Sequence, residues 1–358
     1  MSQKILVILT GGTIGSVCSG GVRDIAGDSP YLLLRTFRRF YPEYADCEFE
    51  VVNPFSILSE NLTLHHWTIL YHAVSQADPA AYRGIVVTHG SDTLAYTAAA
   101  LGLLLRHTSI PIVLTAADRP VPDLKSNAIP NFRAAVDFIL NGGRKGVFVS
   151  YQRYDTGAQA IYPATRLCSA DNFGDEFSCY GGIPLGQMND TAFVPIKSYR
   201  NPTAEALNRP FSPVIKGELT LDNKVMLLRS YPGMEYAAIH PDGFAAVVNY
   251  GYHSATACVE GENTSLLRFA ERCQECGTAL WLGSFKSGDD SELYGTSRAL
   301  LDSGILPFYD MSPEAAYAKA VLAYNLPDTN AEAFMRQCVY FEIVGKEVNF
   351  ENKEQGNE

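Results

Sequence analysis

Two short stretches constrain the fold of this chain more than anything else in it. Residues 5–9 form the apolar run Ile5-Leu6-Val7-Ile8-Leu9, which gives way to Thr10, Gly11 and Gly12 and passes at once to Thr13-Ile14-Gly15. Residues 85–88, Ile85-Val86-Val87-Thr88, run in the same way into His89-Gly90-Ser91-Asp92-Thr93. Near-continuous apolar runs of this length read as strands buried on both faces, the pattern of a parallel sheet. A glycine turn directly after such a strand allows close backbone approach by a ligand and lifts the next hydroxyl off the strand end. The first turn is not a dinucleotide fingerprint, because the G-x-G-x-x-G spacing is absent. Two hydroxyl-rich turns at parallel strand ends can face one crevice.

The rest of the chain fits that frame. Residues 31–40 read as a helix ending at Tyr41-Pro42, and 49–52 as a strand. Residues 64–75 read as a helix with Trp67, Leu70, Tyr71 and Val74 on one face. A third buried strand, 112–115, follows an alanine- and leucine-rich helix over 95–105. A helix over 132–140, stopped by Gly142-Gly143, leads to a strand at 146–151. Such alternation implies β-α-β units. From 156 to 198 the pattern loosens into hairpins and turns. Residues 201–223, with Pro202, Pro210 and Pro213, read as a linker. Alternation then resumes, with strands at 225–228, 245–248 and 279–282 and helices at 265–276, 297–302, 313–322 and 331–338. The expected fold class is α/β with two domains. Residues 1–200 form the larger one, a mostly parallel sheet flanked by helices that carries the site. Residues 224–345 form a smaller parallel α/β domain, and 346–358 a charged tail.

Composition narrows the function. The 358 residues carry a net charge of −11 and no basic run, which argues against nucleic acid as the main partner. The apolar run near the start is too short for a secretory leader, and no stretch is long enough to span a membrane. A cytoplasmic protein is expected. The eight cysteines read as reduced thiols. Cys273-x-x-Cys276 continues a helical pattern and has neither a second pair nor a nearby histidine, so neither metal nor cofactor is expected.

Amide hydrolysis needs an activated nucleophile, a group that holds oxyanion charge and a proton for the leaving amine; Thr13 offers the hydroxyl, and the Ser91-Asp92 pair of the second turn supplies part of its activation. The stretches 9–15 and 89–93 resemble the two signatures of the bacterial L-asparaginase family, closest to its cytoplasmic type I branch. The resemblance extends over about residues 1–340. It includes Ser59-Glu60-Asn61, Asp118-Arg119-Pro120, Tyr231-Pro232-Gly233 and Tyr294-Gly295-Thr296-Ser297. It implies hydrolysis of L-asparagine to L-aspartate and ammonia, with Thr13 at the scissile amide and Ser91 in the place of a second threonine. Asp92 would bind the substrate's α-ammonium. Ser59 and Glu60 would hold its α-carboxylate and α-amino ends, and the backbone of Gly12 and Gly90 would line the substrate site and support the oxyanion. A homodimer or homotetramer is implied as well.

Three departures stand out. The second threonine is a serine. The family's catalytic lysine has no match: its ungapped place is Cys168, and Arg166 is the nearest cation. Arginine keeps the charge but cannot serve as a base, so Arg166 is expected in the catalytic set only to polarise Ser91 or fix Asp92, with the proton relayed by water or another group. Lys125 or Lys145 would substitute only through a different loop path. A loop tyrosine is also missing from 16–28, with Tyr31 the nearest candidate, although the small residues of 16–21 suit a lid. Simpler roles compete at single positions: Asp92 as a helix cap, His89 as a packed strand-end side chain, His253 as part of an ordinary turn rather than a reach towards a neighbouring subunit. Two rival functions follow. One is a related amidase for glutamine or D-asparagine, or a tRNA amidotransferase subunit, although the latter usually carries an extra N-terminal module. The other is an amino-acid sensor that has lost turnover.

Overall fold

The computed structural model describes residues 3–15, 17–19, 22–24, 29–215, 217–286 and 293–345, with the backbone alone at 3, 17–19, 22–24, 29 and 30. The side chains of the lid expected at 16–21, and the tail 346–358, lie outside the described residues.

The chain divides into two compact units. The first comprises 1–196 and 202–222, the second 197–201 and 223–358. The first unit is built on an eight-stranded sheet in the order Ala192–Pro195, Gly186–Asn189, Gln159–Pro163, Gly146–Gln152, Pro111–Thr115, Gly84–Thr88, Gln3–Leu9, Cys47–Val52. The five strands from Gly146–Gln152 to Cys47–Val52 are mutually parallel. The three at the other end pair antiparallel and come from the hairpin region expected at 156–198. Gly84–Thr88 and Pro111–Thr115 are buried along their whole length, which is why their sequence shows no polar alternation. The helix Leu94–Leu104 between them is apolar all round for the same reason, and ten of its eleven residues are buried.

The strand order places the site. From Gln3–Leu9 the chain first moves outwards to the edge strand Cys47–Val52. It then crosses back to Gly84–Thr88 on the other side and proceeds away. The order reverses between Gln3–Leu9 and Gly84–Thr88, which run in register with Leu9 opposite Thr88. Open parallel sheets bind ligands beyond the carboxyl ends of their strands at such a reversal.

Boundaries differ from the sequence reading where local chemistry overrides periodicity. The helix expected at 132–140 starts earlier, as Ala128–Asn141, because Pro130 falls in its first turn, where a missing N–H costs nothing. The stretch read as a linker contributes 202–222 to the first unit. Asn208 fastens it there, accepting from Lys145 N at 2.9 Å and donating to Gly143 O at 3.1 Å, while Arg106 Nε donates to Ser212 O at 2.7 Å.

The second unit holds a four-stranded parallel sheet, Val225–Arg229, Ala246–Tyr250, Ala279–Phe285, Leu306–Tyr309. The last strand is an addition to the sequence reading, since Pro307 in a four-residue run speaks against a strand except at an edge, where it lies. Leu266, Phe269, Leu282 and Leu300 are at the centre of its core. Inside the same unit, Lys319 on the helix Pro313–Asn325 meets Glu342 at 2.6 Å, and both side chains are fully buried. Cys273 is buried and Cys276 is exposed, its thiol donating to Asp242 Oδ1 at 2.6 Å. Burial pushes the Cys273 thiol up to about 12. Among the described residues no cluster of His, Cys, Asp and Glu is arranged to hold a metal ion, and no helix is long and apolar enough to cross a membrane.

Candidate active site

Three segments converge at the strand reversal. The first is the turn after Gln3–Leu9. Gly11 and Gly12 have φ of +96° and +72°, a conformation that costs a residue with a Cβ about 1–2 kcal/mol. The turn runs into a short helical turn, Thr13–Gly15, closed by Gly15 N donating to Gly12 O at 3.0 Å. The second segment is the helical turn Ser59–Asn61. It is tied to the first by Gly12 N donating to Ile57 O at 2.9 Å and Ile57 N donating to Thr10 O at 3.1 Å. The third is the turn after Gly84–Thr88, where Ser91–Thr93 leads directly into Leu94–Leu104. The hydroxyl of Thr10 donates to Thr88 O at 2.7 Å, and that of Thr93 donates to Ser59 O at 3.0 Å.

The two motif glycines are where these segments touch. A Cβ on Gly12 would lie 2.5 Å from Gly90 N and 2.9 Å from the His89 carbonyl carbon. One on Gly90 would lie 2.5 Å from the Ser59 Cβ and 3.3 Å from the Gly12 Cα. The obstacles to Gly12 are backbone atoms, so no rotamer change relieves them. Gly12→Ala is expected to lower the unfolding free energy by about 2–3 kcal/mol, from the left-handed backbone and the overpacking together. Urea denaturation of the variant beside the parent checks this, and an unchanged midpoint would contradict the packing described.

Above the glycines lies a cavity of about 310 Å³ lined by Thr13, Leu58, Glu60, Ser91, Asp92, Asp118 and Asp175. Of the residues singled out from the sequence, it brings together Thr13, Glu60, Ser91 and Asp92. Ser59 stands just behind, buried, its hydroxyl 3.4 Å from Asp92 Oδ2. Gly12 and Gly90 form the tight contact below. Two lining carboxylates have no role in the sequence reading. Asp118 follows the strand Pro111–Thr115 and is clamped to the next helix by a reciprocal pair: Asp118 N donates to Asn127 Oδ1 at 3.0 Å, and Asn127 N donates to Asp118 Oδ1 at 3.1 Å. Asp175 belongs to an irregular loop that shows no periodicity to read.

The candidate cations lie elsewhere. Arg166 ends the helical turn Ala164–Arg166, is 3% exposed, and is not among the residues lining the cavity. Its carbonyl accepts from Tyr180 N at 2.7 Å, and its charge opposes the rise of the neighbouring Cys179 thiol, which burial pushes up to about 12. Cys168, in the ungapped lysine position, pairs across a two-residue ladder with Ser178 and does not line the cavity either. Lys125 and Lys145 are exposed, as are Tyr31, on the helix Ser29–Phe40, and His253, on a turn of the second unit. His89 is 1% exposed, with Nδ1 2.8 Å from Gly90 O and no hydrogen-bond partner for Nε2 among the described residues. Burial lowers its pKa to about 4, so the ring is neutral near pH 7 and packs the turn rather than carrying charge.

Known proteins resemble this chain in sequence and fold. The family described as "Asparaginase, N-terminal" matches residues 4–193, more than half of the 358. The L-asparaginase of Thermococcus kodakarensis is 28% identical over 325 residues, 90% of this chain and 92% of that one. A glutamyl-tRNA(Gln) amidotransferase subunit of Pyrococcus abyssi is 27% identical over 339 residues, 88% of this chain and 70% of that one. Among solved structures, the thermostable L-asparaginase from Thermococcus kodakarensis superposes with a TM-score of 0.76 at 24% identity, over 96% of this chain and 99% of that one. L-asparaginase I from Vibrio cholerae gives 0.73 at 21% identity, with the same shares of 96% and 99%. The two structures speak for the fold. The family match spans the strands and turns that build the cavity, and the chain belongs to the asparaginase family.

Proposed function

We propose that the protein hydrolyses the side-chain amide of L-asparagine to L-aspartate and ammonia by threonine-centred acyl transfer. The observation that carries this is the shared cavity: the hydroxyls of Thr13 and Ser91 and the carboxylates of Asp92 and Glu60 line one space at the strand reversal. Thr13 Oγ1 attacks the amide carbon, an ester forms, the C–N bond breaks, and the nitrogen leaves as ammonia after taking a proton. Water then cleaves the ester and regenerates the hydroxyl. Ser91 orders the attacking group. The proton leaves Thr13 through water or a lining carboxylate, because arginine cannot accept it. Asp92 holds the substrate's ammonium and is steadied by the Ser59 hydroxyl. The start of the helical turn Ser91–Thr93 offers backbone N–H groups to developing negative charge. A cytoplasmic, homo-oligomeric enzyme is part of the same reading.

The test is ammonia release from L-asparagine, L-glutamine and D-asparagine by the purified protein and by Asp92→Asn. Release from L-asparagine is expected, with kcat/KM reduced at least about a hundredfold in the variant, as for the loss of a charged contact to substrate. The similarity to an amidotransferase subunit favours a second reading, in which the ammonia feeds a partner enzyme. Release from L-glutamine above that from L-asparagine would point that way. No release from any amide, with stabilisation by asparagine, would mark a sensor.

A further inference from the structure

The helix Ala128–Asn141 buries a carboxylate that the proposed chemistry does not use. Asp137 is 1% exposed. Its Oδ1 accepts from the Tyr44 hydroxyl at 2.5 Å, and its Oδ2 has no hydrogen-bond partner among the described residues. A cation stands beside it without serving it fully. Arg133, one turn earlier on the same helix, has Nε 3.5 Å from Asp137 Oδ2. That Nε donates instead to the Tyr44 hydroxyl at 3.3 Å, and Nη2 donates to Asp190 Oδ1 at 2.6 Å. The guanidinium also lies over the Tyr41 ring, 4.7 Å from its centroid. One arginine is thus divided between a buried carboxylate and an exposed one, and its shorter contact is with the exposed one.

A buried carboxylate with a single hydrogen-bond donor is costly when ionised and far less so when protonated. The surroundings do little to hold the charge. The turn Pro42–Tyr44 brings Glu43, and Asp190 adds a further negative charge. Arg35, Arg38 and Arg39 of the neighbouring helix Ser29–Phe40 are exposed, and Arg38 Nη2 turns to Cys47 O at 2.9 Å. The strands against which Ala128–Asn141 packs, from Gly84–Thr88 to Ala192–Pro195, carry no charged residue. Burial pushes the Asp137 carboxyl up to about 6 against the opposing pull of the Tyr44 bond and the Arg133 charge. Asp190 stands at the tip of the hairpin between Gly186–Asn189 and Ala192–Pro195, with φ of +50°. Asn141, from the same helix as Asp137, donates to the next carbonyl of that tip, Thr191 O, at 3.0 Å. The cluster therefore joins three segments: the turn after the first helix, the helix Ala128–Asn141 and the hairpin.

We propose that Asp137, Tyr44, Arg133 and Asp190 form a pH-sensitive clasp: while Asp137 holds a proton Arg133 stays on Asp190 and secures the hairpin tip, and loss of that proton draws Arg133 inwards and releases the tip. A carboxyl raised above its unfolded value of about 3.9 contributes stability that is complete below that value and lost as the pH rises through about 6. Thermal melts at pH 4.5 and pH 7.5 compare the parent with Asp137→Asn, which is fixed in the neutral form, and with Asp190→Asn. The latter keeps a residue that tolerates the left-handed backbone and leaves Arg133 to Asp137. Hydrogen exchange in 186–195, corrected for the intrinsic rate at each pH, reads the hairpin. From pH 4.5 to pH 7.5 the Tm of the parent is expected to fall at least about 3 °C further than that of Asp137→Asn. Exchange in the parent's hairpin is expected to quicken at least about fivefold and in Asp137→Asn to stay level. In Asp190→Asn the extra fall in Tm is expected to be less than half of the parent's. A smaller extra fall in the parent, a level exchange rate in its hairpin, or a larger extra fall in Asp190→Asn overturns the proposal. If Asp137→Asn does not fold, the Asp137 carboxyl carbon followed by NMR decides. A midpoint above about pH 5 in the parent that drops in Asp190→Asn supports the clasp, and a lower midpoint, or one that Asp190→Asn leaves in place, overturns it.

Discussion

Thr13→Ala is expected to reduce ammonia release at least about 10³-fold while leaving the melting temperature within a few degrees of the parent's. In the proposed mechanism the loss is large because the hydroxyl forms the bond that carries the acyl group, while the remaining lining groups bind and polarise the amide. Stability is expected to change little because the variant keeps the backbone bonds of this turn, Gly12 N to Ile57 O and Gly15 N to Gly12 O. Thr13→Ser keeps the hydroxyl and is expected to retain far more activity than the alanine variant. Initial rates and thermal melts of the three proteins, measured together, separate chemistry from folding. Activity in Thr13→Ala above a hundredth of the parent's would move the nucleophile to Ser91 or to water.

The largest effect on stability is expected in the second unit. Lys319→Met removes one member of a fully buried ion pair and leaves Glu342 charged in the core, a change that typically costs about 3–5 kcal/mol. The network around the pair is closed on every side. Lys319 Nζ also donates to Gln337 O at 2.5 Å, and Glu342 accepts from Val339 N at 2.7 Å and Tyr340 N at 2.6 Å. Burial alone would raise the Glu342 pKa, but the Lys319 charge and the hydrogen bonds outweigh it and hold the carboxyl below its ordinary value. A carboxyl whose folded pKa is depressed contributes stability that is complete above its unfolded pKa of about 4.3 and lost as the pH falls through the folded value. The parent therefore begins to lose this contribution only below the ordinary carboxylate value. In Lys319→Met the loss is expected to be greatest near pH 7 and to shrink as the pH is lowered, since protonation removes the unpaired charge. Denaturation at pH 7 and near pH 4.5 tests both the size and the trend, and a deficit that grows in acid would contradict the assignment.

What can be read from the sequence follows from how directly each feature couples to the backbone. Thr13, Ser91 and Asp92 are legible because two hydroxyl-rich turns follow buried strands and together match the two family signatures, and their strands lie side by side in register. Glu60 comes from resemblance, and the structure sets it in the cavity with them. Asp118 shows in the sequence only as a turn residue, since its orientation depends on Asn127, nine positions away, through side-chain bonds that no periodicity encodes. Asp175 is invisible for the same reason: a left-handed residue in an irregular loop leaves no pattern. Arg166 is the cation nearest the lysine's place, but its helical turn buries it away from the cavity lining, with Thr165 packed against Gly102. The prolines of 201–223 suggest a linker, whereas asparagine and arginine side-chain contacts bind 202–222 to the first unit.

The placing of the two signatures at the strand reversal bears on how the protein is made. A ribosome delivers Thr13 nearly eighty residues before Ser91. The first signature must therefore wait, attached to an apolar strand that lies between Cys47–Val52 and Gly84–Thr88 in the finished sheet and has neither neighbour yet. Pairings this distant in the chain form late, and unpaired apolar strands are exposed to aggregation meanwhile. Slowing translation before residue 93 lengthens that wait and is the manipulation to which the yield of folded protein should be most sensitive.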